Sequence, residues 1–167
     1  NYIVTNGTGV VTINNVGNSD VTLSIGTGTS YNPVIIKNTT ATNNVSVKVS
    51  SSISVSPPDP TKVVPREWDV TPSGSGNTLI VKFQFNSSDY IGTSFNPGGS
   101  VVLGHYVGSL WTEITGTISG IDPYIVTSGD ITSFSPFVVG NQGALPVTIS
   151  SLNSYVANRN VKLNWVT

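Results

Sequence analysis

His105 is the chain's one histidine, so any imidazole chemistry must start there. General-base work or metal binding needs partners within hydrogen-bond reach. On a strand from Val101 to Val107 it shares parity with Leu103 and Val107, and no acidic residue is near it in the sequence. A tucked or rim histidine is the expectation. Glu67 and Asp69 stand two apart, which on a strand puts both carboxylates on one face, as paired-carboxylate hydrolysis or calcium binding requires. Arg66 adjoins them and Trp68 takes the opposite face, so solvent-facing acids beside a buried tryptophan are expected instead. Asp59 and Asp122 each precede a proline and read as turn formers. Ser and Thr abound, but no Gly-x-Ser-x-Gly elbow frames a nucleophile, and the Gly26/Gly28 pair lacks the strand–helix context of a phosphate loop. The expectation is no enzyme, with catalytic, metal and cofactor sites all empty of candidates.

The aromatics offer a different chemistry, because an exposed ring face attracts sugar C–H groups. Trp68 and Trp111 are expected to anchor the sandwich core, as large aromatics usually do. Tyr90 and Tyr124 fall near predicted loops and, with Tyr106, are the candidate ligand-contact aromatics. A net charge of −1 with scattered basic residues gives no electrostatic basis for nucleic acid. No apolar run reaches transmembrane length, so direct membrane insertion is not expected. Sequons start at Asn6, Asn38, Asn44 and Asn86, a number that an Asn-, Ser- and Thr-rich chain produces by chance.

These residues need a scaffold, and composition names it. The 167 residues are 9% charged, too few to supply the wet faces of long amphipathic helices. Apolar positions favour Val and Ile, which suit a pleated surface. Val21/Leu23/Ile25, Val45/Val47/Val49 (continuing through Ile53 and Val55) and Leu79/Val81/Phe83/Phe85 each alternate with polar residues. Period two buries one face of a strand. Shorter runs are Val10–Ile13, Val34–Ile36, Val101–Val107, Tyr124–Thr127 and Phe134–Val139, with no helix-period stretch. The fold class predicted is all-β, an antiparallel sandwich of immunoglobulin/fibronectin-like architecture followed by a β-hairpin. Turn residues at Gly26–Ser30, Ser73–Asn77 and Asn96–Gly99 separate the strands. Pro57–Pro60 cannot join a central ladder and is expected to cross between two sheets.

A polar stretch, Gly140–Ala144, suggests a boundary. Residues 1–142 are expected to form the sandwich, and 143–167 a linker and the first two strands of a truncated second module. Leu145-Pro-Val-Thr-Ile149 and Val161-Lys-Leu-Asn-Trp165 would pair around Asn158-Arg-Asn160, and Trp165 would need cover from outside the hairpin. With no Met, the chain is expected to begin inside a longer precursor, and with no Cys it has no thiol site or disulfide.

The junction resembles a known family. Thr132-Ser-Phe-Ser-Pro-Phe-Val-Val-Gly140, then Ala144-Leu-Pro-Val-Thr148 and Leu163-Asn-Trp165, is similar to a module boundary in type IX-secreted proteins of Bacteroidota. Gly26-Thr-Gly-Thr-Ser-Tyr-Asn-Pro-Val34, Pro65-Arg-Glu-Trp-Asp-Val-Thr-Pro72 and Gly104-His-Tyr106 resemble the module before it. The resemblance implies a fibronectin type III-like second module and a secreted or cell-surface location. It also implies that a sorting domain would lie beyond Thr167. The family's O-glycosylation signal is missing, since no Asp is followed by Ser or Thr. The expected role is a spacer or adhesin-type module with neighbouring β modules as partners and a protein or glycan ligand. The alternative is a carbohydrate-binding accessory of a secreted glycoside hydrolase.

Overall fold

The computed structural model describes residues 1–134, 136–145, 151–157 and 160–166. Its strands are β1 (Ile3–Val4), β2 (Val11–Val16), β3 (Val21–Leu23), β4 (Ile25–Gly26) and β5 (Val34–Asn38). Next come β6 (Asn43–Ser50), β7 (Glu67–Pro72), β8 (Leu79–Phe85), β9 (Val101–Val107) and β10 (Leu110–Ser119). The chain closes with β11 (Tyr124–Ser128), β12 (Pro136–Asn141), β13 (Ser151–Ala157) and β14 (Asn160–Val166). The helical elements among the described residues are two short 3-10 turns, Pro60–Lys62 and Ser87–Tyr90. The protein is all-β.

Ten strands form one hydrogen-bonded series, β2-β6-β7-β12-β9-β10-β11-β8-β5-β3, antiparallel at every step. The series folds over on itself at β10. Leu110–Thr115 pair with β9, and Gly116–Ser119 pair with β11, so this strand belongs to both layers of the sandwich. Gly116 sits where the partner changes. A Cβ there would lie 2.7 Å from the Val126 Cγ1, so the corner closes only around a hydrogen. On the open side β1 pairs with β4 in parallel, and the buried Thr5 hydroxyl accepts from Val49 N at 2.9 Å on β6. The result is a nearly barrel-shaped sandwich.

The alternating runs fill its interior. Val45, Val47 and Val49 on β6 are fully buried, as are Leu79, Val81, Phe83 and Phe85 on β8, while Ile80, Lys82 and Gln84 are half-buried. Phe83 meets Trp68 of β7 at 5.0 Å and Phe137 of β12 at 5.7 Å, bridging the layers. The β6 parity does not run on as expected: the strand ends at Ser50, Ile53 is half-buried and Val55 is exposed. Val10 is also exposed, one residue before its strand.

A second, smaller cluster covers the outer face of the sheet: Val63, Trp111, Val138, Ala144 and Leu145. It corrects three expectations. Trp111 anchors this outer cluster, not the sandwich interior. The Pro57–Pro60 stretch does not cross between sheets, because β6 and β7 are neighbours in the same sheet. It loops over the outer face, where Asp59 N donates to Ala144 O (3.1 Å) and Val64 N to Val139 O (2.9 Å), a path that needs no ladder bonds from the prolines. And the packed unit runs past residue 142. Ala144 and Leu145 are buried, and Gly143 N donates to Glu113 Oε1 at 2.8 Å.

Among the described residues β13 and β14 pair only with each other, from Ser151↔Val166 to Ala157↔Asn160. Residues 146–150, where the second segment was expected to start, lie outside the described residues, as does the side chain of Trp165 and its expected cover.

Candidate functional site

Topology brings two of the three candidate tyrosines together. Tyr90 closes the 3-10 turn after β8, and Tyr124 opens β11 opposite Phe85. Tyr124 stacks on Phe85 (5.4 Å, 21°), and Tyr90 meets Phe95 edge-on (5.2 Å, 66°). The two tyrosine rings are 6.2 Å apart and inclined at 58°, both half-buried. A sugar platform needs a shared exposed plane, and these rings instead plug one end of the core. Burial raises the Tyr90 hydroxyl pKa, and the neighbouring Tyr124 hydroxyl adds to the rise. Tyr106 is elsewhere, packed at 5.2 Å on Trp111 in the outer cluster.

The loops around the plug are held by carboxylates. Asp122 is a turn former as expected: it accepts from Ser87 N (3.0 Å) and Ser87 Oγ (2.5 Å), which hold its carboxyl below the ordinary range. Asp89, unremarked in the sequence, is the buried hub. It accepts from Arg66 Nη2 at 2.8 Å, Asn32 Nδ2 at 2.6 Å and Asn86 N at 2.9 Å. A buried pair of this kind fixes geometry more than it stabilises, yet losing one partner costs about 3–5 kcal/mol. Asn-rich turn sequence gives no hint of it, because Arg66 and Asp89 are brought together only by the sheet order.

Glu67 and Asp69 do share a face, but each has its own partner. Glu67 is buried, not solvent-facing, and caps Ser54 through both N and Oγ at 2.8 Å. Asp69 pairs with Lys48 at 3.1 Å. The neighbouring Ser54 loop is what removes Glu67 from water. Neither carboxylate is left free for a cation or a proton relay.

His105 is tucked, as expected. Its ring stacks on Phe137 at 4.8 Å and 15°, and desolvation lowers its pKa below the ordinary value. Nε2 is buried and has no hydrogen-bond partner among the described residues. The residue lines a pocket of about 210 Å³ with Ile114, Asp130, Ile131 and Ser133. Asp130 is thus a spatial neighbour that sequence distance concealed. Thr132 borders both this pocket and a groove of about 450 Å³ between the Gly74–Thr78 loop and Phe134. No group of three or more His, Cys, Asp or Glu is placed to hold a metal among the described residues. The chain matches no family model, no curated protein and no solved structure.

Proposed function

We propose that this chain is a non-catalytic structural and interaction module of a large secreted or cell-surface bacterial protein, set in line with neighbouring β modules. The observation that carries this reading is the locking of both ends of the sandwich into its body. At the entry, β1 is bonded to β4 and tied through Thr5 to β6. At the exit, Leu145 is 2% exposed against Val138 and Trp111. A spacer transmits position only if the chain enters and leaves a rigid body at fixed points. Residues 1–145 are that body, and β13 and β14 begin a fibronectin type III-like module. Export by the type IX route rests on the junction strings around Pro136 and Leu145. His105 against Phe137 and Glu67 on Ser54 are engaged in packing and capping, which supports the absence of turnover.

The test is a panel of glycan, ester and peptide substrates offered to the whole chain, to His105→Ala and to Asp130→Asn. No turnover above background is expected from any of them. Turnover by the whole chain that either variant abolishes, with the folded state intact by circular dichroism, would overturn the reading.

A further inference from the structure

Asn6-Gly7 is the chain's one Asn-Gly step, and it sits where the entry strand leaves β4 and reaches β6 in the other layer. Both residues are exposed. Three features mark the Asn6 amide. First, its Oδ1 accepts from two donors on one residue, Ser51 N at 2.8 Å and Ser51 Oγ at 3.1 Å. A pair of donors on a carbonyl oxygen stabilises the negative charge that this oxygen gains when its carbon is attacked. Second, Nδ2 makes no hydrogen bond among the described residues, so no protein group there holds it as a leaving group. Third, Gly7 has no side chain, and even an added Cβ would meet nothing within 4 Å. Its nitrogen can therefore approach the Asn6 Cγ unhindered. Gly7 N donates to Thr5 O at 2.7 Å, a local bond that is given up when the nitrogen loses its proton.

We propose that Asn6 is a site of spontaneous deamidation, and that the isoaspartate it yields unties the entry strand from β6. The deprotonated Gly7 nitrogen bonds to Asn6 Cγ, and the carbonyl electron pair moves onto Oδ1 between the two Ser51 donors. Collapse of this intermediate expels Nδ2 as ammonia, its extra proton taken from solvent, and leaves a five-membered succinimide. Water then opens the ring. Attack at Cγ restores the ordinary main chain and leaves an aspartate. Attack at the main-chain carbonyl gives isoaspartate, whose main chain runs through Cβ and Cγ and is one carbon longer. Either way one water is consumed and one ammonia released, with no change of oxidation state. The two products differ in effect. An aspartate still offers oxygens to both Ser51 donors, now with a charge that strengthens the bonds. In isoaspartate that carbonyl has become part of the main chain. The added carbon also breaks the spacing by which the neighbouring Thr5 hydroxyl meets Val49 N at 2.9 Å and Val49 O at 3.2 Å. The proposal goes beyond the spacer reading and stands without it.

The experiment holds the whole chain at mildly alkaline pH and body temperature and follows each asparagine by peptide mapping. Mass spectrometry reads the replacement of the amide nitrogen by oxygen. Asn6 is expected to convert first, about tenfold faster than the exposed Asn18, which precedes Ser19. Ser51→Ala deletes the hydroxyl donor and keeps the main-chain one. It is expected to slow the loss of Asn6 by about threefold or more, with Asn18 unchanged. Hydrogen exchange on the aged protein, fractionated by ion exchange, reads the tie itself. The isoaspartate fraction is expected to expose the amides of Val49 and Ser51, while the aspartate fraction and fresh Asn6→Asp keep them protected. Conversion of Asn18 or Asn86 ahead of Asn6 would overturn the proposal. So would an Asn6 loss that holds steady or quickens in Ser51→Ala, because the Ser51 donors would then restrain the amide and not activate it. An isoaspartate fraction whose Val49 and Ser51 amides stay protected would overturn it as well. The spacer reading survives each of these outcomes.

Discussion

His105 carries an energetic consequence that can be measured without knowing any ligand. Its folded pKa lies below the ordinary value of 6.5, because burial disfavours the charged ring. Between the folded and unfolded values the unfolded chain binds the extra proton, so stability rises with pH in that window. The protein should therefore hold full stability above about pH 6.5 and lose part of it as pH falls below that value. Asp59 and Asp122 have lowered pKa values, so their contribution persists down to the ordinary 3.8 and is lost only below it. The two effects occupy separate pH ranges. Urea midpoints at pH 7.5 and pH 5 should differ for the native chain and converge for His105→Gln. Equal midpoints in the native chain would mean that the imidazole is not desolvated. Its burial was legible from parity with Leu103; its neighbour Asp130 was not, since only the β9-β10-β11 order brings the two together.

At the scale of elements, the runs that read clearly from sequence are those with one face fully dry. β8 alternates Leu79, Val81, Phe83 and Phe85 against polar or amphipathic neighbours, and the structure buries that set completely. β10, the longest strand, escaped notice for a physical reason. It changes layers at Gly116, so Ile114 and Ile118 are only half-buried, and Thr112, Thr115 and Thr117 alternate irregularly with them. The outer cluster was equally hidden, because a sheet with one wet face was assumed and β12 is buried on both faces from Phe137 to Gly140. Gly104 makes that second cover fit. A Cβ there would lie 2.6 Å from Val138 Cγ2 and 2.9 Å from Leu145 Cδ1. Gly104→Ala should cost about 1–3 kcal/mol by overpacking. Leu145→Ala should cost about 2–5 kcal/mol through the cavity it leaves. Because the two sites touch, the double variant should be less destabilised than the sum by more than about 0.5 kcal/mol. Strict additivity in denaturant melts would place Leu145 away from Gly104.

For the whole molecule, the decisive feature is where the sandwich ends. A boundary drawn from polarity alone falls at residue 142, since Gly140-Asn-Gln-Gly143 looks like a linker. The structure carries the packed body on to Leu145, which seals Trp111 and Val138 from water. A module whose last residues belong to its core delivers the next segment from a fixed point, and the proposed spacer role depends on this. The most direct test compares urea unfolding of two shortened chains, one ending at Leu145 and one at Gln142. The chain ending at Leu145 should unfold in one cooperative transition with the midpoint of the full chain's sandwich. The chain ending at Gln142 should be weaker by at least the roughly 2–5 kcal/mol of a lost buried leucine. Identical midpoints for the two would contradict the account, because the exit would then be a free linker and not part of the fold.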